Sequence, residues 1–124
     1  MKNERKCAQK IDWLQDQCPI KATVDVIGGR WKPLILFYLL GQPKRFSTLR
    51  KDIPGVTGQM LTLQLRQLEA DGIVARNIHA EVPVRVEYRL TTYGKTLSTL
   101  LADMRKWGER HLNRRDQKFA KNRK

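Results

Sequence analysis

The chain has 124 residues, and 25 Lys and Arg against 12 Asp and Glu leave it a net charge of +13. That length suits one domain with its own core, and the longest apolar run, Pro33 to Leu40, falls far short of the ~20 residues that span a bilayer. The polar start, Met1 to Lys6, lacks the apolar stretch of a secretory signal, so a cytoplasmic location with reduced thiols is expected.

Ile11-Asp12-Trp13-Leu14 opens a short helical pattern that stops at Cys18-Pro19. Pro19 suits the first position of a new helix, in which Ile20, Val24 and Ile27 share one face before Gly28-Gly29. The next helix is expected from Trp31 to Leu40, with Pro33 in its first turn and Gly41 as its stop. Its wide apolar face, Trp31, Leu34, Ile35, Tyr38 and Leu39, marks it as the most buried helix. A short helix from Phe46 to about Lys51 ends at Pro54-Gly55. Thr57 then caps a helix running to Asp71, with Gly72 beyond it. Two helices joined by a tight Pro-Gly turn are a helix-turn-helix candidate.

β-Formers follow. Ile73 to Ile78 reads as one strand. Val82, Val84, Val86, Tyr88 and Leu90 alternate with Pro83, Arg85, Glu87 and Arg89, the period of a half-buried strand. The pair makes a hairpin with its tip between His79 and Arg85. A last helix from about Tyr93 to Leu112 aligns Leu97, Leu100, Leu101, Met104 and Trp107. Asn113 to Lys124, with six basic residues against Asp116, reads as a disordered tail that either aids solubility or touches phosphates. The expected fold is therefore mainly α with a small β-hairpin, a winged helix-turn-helix with extra N- and C-terminal dimerisation helices. Its parts are an N-terminal dimerisation segment (1–18), a DNA-binding domain (19–92), a dimerisation helix (93–112) and the basic tail (113–124).

A surface this positive suits an anionic partner, and polyphosphate fits because each neutralised phosphate releases counterions. In the helix from Thr57, the residues Leu61, Leu65 and Leu68 form the core face at 100° per residue, opposite Gln59, Thr62 and Arg66, with Leu63 beside them. Gln reads adenine bidentately, Arg reads guanine, and a Thr methyl meets that of thymine. Gln59 and Thr62, near the N-terminus, are assigned to base edges with Met60 and Thr57 nearby. Arg66 is open to a base or a phosphate. Thr48, Arg50 and Lys51 are candidates for phosphates. In the wing, Arg85 near the tip and Arg76 and Arg89 further down are candidates for the backbone or minor groove, with cross-strand ion pairing as the competing use.

Other chemistries find little support. His79 and His111 lack ligands at metal spacing. Gly28-Gly29-Arg30-Trp31-Lys32 lacks the flanks of a phosphate loop. No nucleophile stands with a base and an orienting group in a recognisable motif. No cofactor, metal or membrane is expected, and no enzyme activity. Cys18, at a helix start with Lys21 nearby, is a redox-sensing candidate or an inert buried residue. Cys7 is its companion candidate. Ile11, Trp13 and Leu14, with Leu97, Leu100, Leu101, Met104 and Trp107, are assigned to a dimer interface, because a symmetric operator needs two recognition helices.

The strings Cys18-Pro19-Ile20, Ile27-Gly28-Gly29-Arg30-Trp31-Lys32 and Phe46-Ser47-Thr48-Leu49-Arg50 resemble the HxlR-type winged helix-turn-helix regulators, relatives of the MarR-like regulators. So do Met60-Leu61-Thr62, Leu65 to Gly72, Glu81-Val82-Pro83, Val86-Glu87-Tyr88, Leu90-Thr91, Gly94 and Trp107. The resemblance implies a homodimeric transcription regulator on a palindromic double-stranded operator. It also implies, for several members, sensing of a small electrophile or oxidant through a cysteine at the position of Cys18. Leu63 departs from the polar residue usual at its place. The competing reading is a winged-helix protein-interaction module without specific DNA binding.

Overall fold

The computed structural model describes residues 18–122. In chain order they form α1 (Pro19–Ile27), α2 (Lys32–Leu39), β1 (Lys44–Arg45), α3 (Phe46–Asp52), α4 (Gly58–Ala70), β2 (Val74–His79), β3 (Arg85–Leu90), a 3₁₀ turn (Gly94–Leu97) and α5 (Ser98–Asn122). The fold is mostly helical with one small antiparallel sheet, ordered β1-β3-β2. Ile11, Trp13, Leu14 and Cys7 lie outside the described residues.

The core gathers around α2, which touches α3, α4, α5 and β3. Ile35 and Leu36 are wholly buried and Leu39 nearly so. The expected apolar face of this helix is shifted: Leu34 is partly exposed, while Leu36 points inward. Leu34 instead joins Phe37, Leu101 and Met104 along a shallow groove between α2 and α5. α4 contributes Leu61, Leu65 and Leu68, at 0%, 1% and 0% exposure, the three residues its periodicity marks as inward.

The ends of α4 explain its orientation. Thr57 is the N-cap, its hydroxyl oxygen accepting the Met60 N–H at 3.1 Å. At the other end Gly72 takes φ +75°, a left-handed conformation open to glycine at little cost. The Gly72 N–H then reaches Glu69 O and the Ile73 N–H reaches Leu68 O, the paired bonds of a Schellman cap. Ile73 is carried into the core by that turn. Thr91 closes the base of the hairpin: its hydroxyl donates to Gly72 O at 2.6 Å and accepts the Gly94 N–H at 2.9 Å. A side chain on Gly94 would collide with the Ile73 carbonyl.

Four expectations need correction. The sheet has a third strand, because Lys44 and Arg45 pair with Tyr88 and Glu87; two residues are too short to show a period. The strand expected from Val82 begins at Arg85, and pairing ends at His79↔Arg85. Pro83 has no N–H for a ladder, and Val82 and Val84 lie exposed in the loop. On α1, Ile20 and Val24 are exposed and only Ile27 is buried, since periodicity identifies an apolar face but not what covers it. Finally, α5 runs to Asn122 instead of ending at Leu112 before a disordered tail. The segment after Leu112 contains neither Gly nor Pro, its Arg, Gln, Lys and Ala are good helix formers, and its basic residues suit the negative end of the helix dipole.

Because Leu65 is buried and Leu63 is 48% exposed on the same helix, truncating each separates core from surface. Leu65→Ala should lower unfolding stability by about 2–5 kcal/mol, and Leu63→Ala by within about 0.5 kcal/mol. Urea unfolding followed by circular dichroism measures both; comparable losses would show that α4 is rotated from this orientation.

Candidate nucleic-acid interface

With three leucines buried, α4 turns Gln59, Leu63 and Arg66 outward, and Thr62 sits half-buried between them. Thr62 donates its hydroxyl proton to Gly58 O at 2.9 Å, an i−4 bond that ties the proton into the helix and leaves the methyl as the simpler contact. Met60 is half-buried, and its sulfur accepts the Gln64 side-chain N–H at 3.3 Å. Gln59 stands in the first turn, exposed, next to the capping Thr57.

The end of α3 meets that first turn. A side chain on Gly58 would lie 3.2 Å from Arg50 Nη1, so the guanidinium covers the start of α4. Its charge adds to the positive end of the helix dipole and to N–H groups without intrahelical partners. Lys51 beside it is exposed, and Thr48 is half-buried. Arg45, on β1 just before α3, is exposed as well and was missed; the adjacent pair Lys44-Arg45 was its signal. Lys44 is drawn to Asp52 at 3.6 Å.

The two wing arginines are differently placed. Arg85 Nη2 donates to Glu81 Oε2 at 3.1 Å and Nη1 to Glu87 Oε2 at 3.2 Å. Its Nε is buried and has no hydrogen-bond partner among the described residues. His79 Nε2 lies 3.0 Å from Glu87 Oε1. Arg76 Nε lies 3.7 Å from Glu69 Oε1, and Arg76 stands opposite Tyr88 across the strands. Candidates for DNA contact or for pairing within the hairpin, both arginines meet carboxylates of their own chain. Around the tip the exposed side chains are largely apolar: Ile78, Val82 and Val84. Tyr88 is nearly buried, and desolvation pushes its pKa above the usual 10, with the Glu69 carboxylate adding to the rise; Arg76 and Arg66 pull it down.

Residues assigned to a dimer interface divide in two. Leu101 is buried and Leu97 packs against the core, whereas Leu100, Met104 and Trp107 are exposed along α5, Trp107 stacked on His111 at 5.1 Å. Cys18 is the N-cap residue of α1, 1% exposed and disulfide-bonded. Lys21, expected to act on Cys18, holds Asp25 at 2.9 Å. No described helix is long and apolar enough to cross a membrane, and no group of three or more His, Cys, Asp or Glu among the described residues could hold a metal ion.

Comparison with known proteins adds a family. The family model described as HxlR-like helix-turn-helix matches residues 26–116. The chain is 44% identical over 110 residues to the uncharacterized HTH-type transcriptional regulator YdeP of Bacillus subtilis, covering 86% of each chain. It is 47% identical over 95 residues to YybR of the same organism, similarly described, covering 77% of this chain and 76% of that one. Among solved structures, the redox regulator HypR in its oxidized form superposes with a TM-score of 0.72 and 49% identity, over 74% of this chain and 95% of that one.

Tyr88 supplies a test of the packing between wing and helix. A raised native pKa means that the neutral hydroxyl stabilises the fold fully below the unfolded value of ~10 and loses that contribution as pH rises through the native one. Ultraviolet titration of the wild type minus that of Tyr88→Phe should place its midpoint above free tyrosine; a midpoint at or below that would contradict the burial.

Proposed function

The chain belongs to the HxlR-like helix-turn-helix family of transcriptional regulators, and from that premise we propose that it is a homodimer that binds a two-half-site operator, each α4 in a major groove. The observation that carries the reading is the division of α4. Its buried stripe of Leu61, Leu65 and Leu68 directs Gln59, Thr62, Leu63 and Arg66 away from the core, with Arg50 over its first turn. Gln59 and Thr62 read base edges, and Leu63 meets thymine methyls. Arg50, Lys51 and Arg45 hold phosphates beside them, with Thr48 and Thr57 at the same margin. Met60, half-buried and bonded to Gln64, shapes the first turn.

Dimerisation is supported by apolar surface that the single chain leaves uncovered. Leu34, Phe37, Leu100, Met104 and Trp107 on α2 and α5, and Ile20 and Val24 on α1, are all at least a third exposed. Exposed apolar side chains lining a groove such as that of Leu34, Phe37 and Met104 mark interaction surfaces, and a two-fold operator demands paired recognition helices. Redox control at Cys18 draws support from its disulfide and from the likeness to a protein titled a redox regulator. Because Cys18 caps α1, making or breaking that bond acts where α1 starts.

Anisotropy titrations on DNA selected from a random pool, at two salt concentrations, test the base-reading assignment. Gln59→Ala should cost about 1–3 kcal/mol on the selected palindrome and little on random DNA. Equal weakening on both would remove Gln59 from base reading, and uniformly weak binding that collapses with salt would favour a protein-interaction module.

For Cys18, the same titration with and without a thiol reductant should give two affinities for the wild type and one for Cys18→Ser. A wild type indifferent to reductant would leave Cys18 a structural cysteine.

A further inference from the structure

We propose that Arg76 and Arg85 are positioning residues that set the wing against the recognition helix and contribute no phosphate contact, an inference resting on the operator-binding reading. The two pairs lie at opposite ends of the hairpin. Near its base, Arg76 on β2 faces Glu69, in the last turn of α4, at 3.7 Å and stands opposite Tyr88 on β3 in the strand register. Three elements therefore meet around Arg76. Near the tip, Arg85 sits opposite His79 across the strands. It spreads its two Nη atoms between Glu81 in the loop and Glu87 on β3, while His79 holds the other oxygen of Glu87.

Each arginine sits against carboxylate, and a phosphate would have to displace a partner already at hand. At the tip Arg85 faces two carboxylates, Glu81 and Glu87, and Arg45 on β1 stands opposite Glu87, so the charge of Arg85 is met within the sheet. The Arg85 side chain is 28% exposed and its Nε is sealed from solvent, so the guanidinium lies along the hairpin instead of reaching outward. Lysine could replace arginine in a phosphate contact, being a point charge, but it lacks the planar fork that serves two separate carboxylates. That difference separates the two roles.

Three variants, Arg76→Gln, Arg85→Lys and Arg50→Gln, are compared with the wild type for operator affinity against salt. Amide hydrogen exchange in β2 and β3 is followed on the same proteins without DNA. A lost phosphate contact lowers the salt slope by about 0.9 per site, doubled in a dimer. Arg50→Gln should show that fall. Arg85→Lys and Arg76→Gln should weaken operator binding about three- to tenfold with the slope retained, and should speed exchange of hairpin amides. The charge-swapped Glu69→Arg/Arg76→Glu variant, whose net charge equals the wild type's, should regain affinity over Arg76→Gln. A lowered slope for Arg76→Gln, wild-type affinity for Arg85→Lys, or further loss in the swapped variant would overturn the assignment. The exchange measurement stands apart from the operator reading: unchanged hairpin protection in both wing variants overturns the positioning role even if no DNA is bound, whereas faster exchange without DNA binding supports it and fails only the regulator reading.

Discussion

Burial of the leucine stripe on α4 is the constraint on which the rest of the molecule depends. Leu61, Leu65 and Leu68 are removed from water almost completely, at a gain of roughly 1.5–3 kcal/mol each. No rotation of the helix about its axis keeps all three inside while changing which residues face out. The outward set is thus a consequence of core packing, and the polar residues on it need no contacts of their own to stay aligned. The caps fix the remaining freedom, which is sliding along the axis. Thr57 fastens the first turn, and the paired bonds around Gly72 fasten the last.

The wing inherits its place from the same turn. Gly72 ends α4 and Ile73 enters the core one residue later, so β2 starts at a defined point relative to α4. Thr91 returns from β3 to bond the carbonyls of Gly72 and Ile73, and Gly94 lets α5 begin where any side chain would strike Ile73. One short stretch therefore joins helix, hairpin and long C-terminal helix. A change there would move all three together, which is why Glu69 and Arg76, seven residues apart across the turn, are well placed to couple them.

Much of this was legible because strong local signals coincide with burial. The bounds of α4 follow from Thr57 and Gly72, and its faces from a three-leucine period; the structure reproduces both. The shortfalls share a physical origin in what a linear pattern does not encode. Ile20 and Val24 have helical spacing yet face outward, because period reports amphipathicity and not the presence of a cover. β1 holds two residues and exists only through pairing with β3. The C-terminal segment was read from its low apolar content, whereas the helix there draws on backbone propensity. For Arg76 and Arg85, charge was visible but its neighbour was not: Glu69 lies across a turn and Glu81 across a hairpin tip.

Those two arginines also change what the net charge means. A total of +13 measures attraction to a polyanion at long range, where the whole distribution acts. At contact, only cations able to exchange a counterion for a phosphate count. Around the wing, Arg76 and Arg85 already face Glu69, Glu81 and Glu87, so their charge is largely balanced within the fold. At the junction of α3 with α4, Arg50 lies over helix N–H groups and Lys51 is exposed beside it, reinforcing the positive end of the dipole instead of being cancelled. Arg50 and Lys51 thus place positive charge next to the face that carries Gln59 and Thr62, while the wing's exposed tip is left to Ile78, Val82 and Val84. On the operator reading proposed above, phosphate attraction comes from beside α4, while the wing, held in place by charges that face inward, meets its partner through shape and apolar contact.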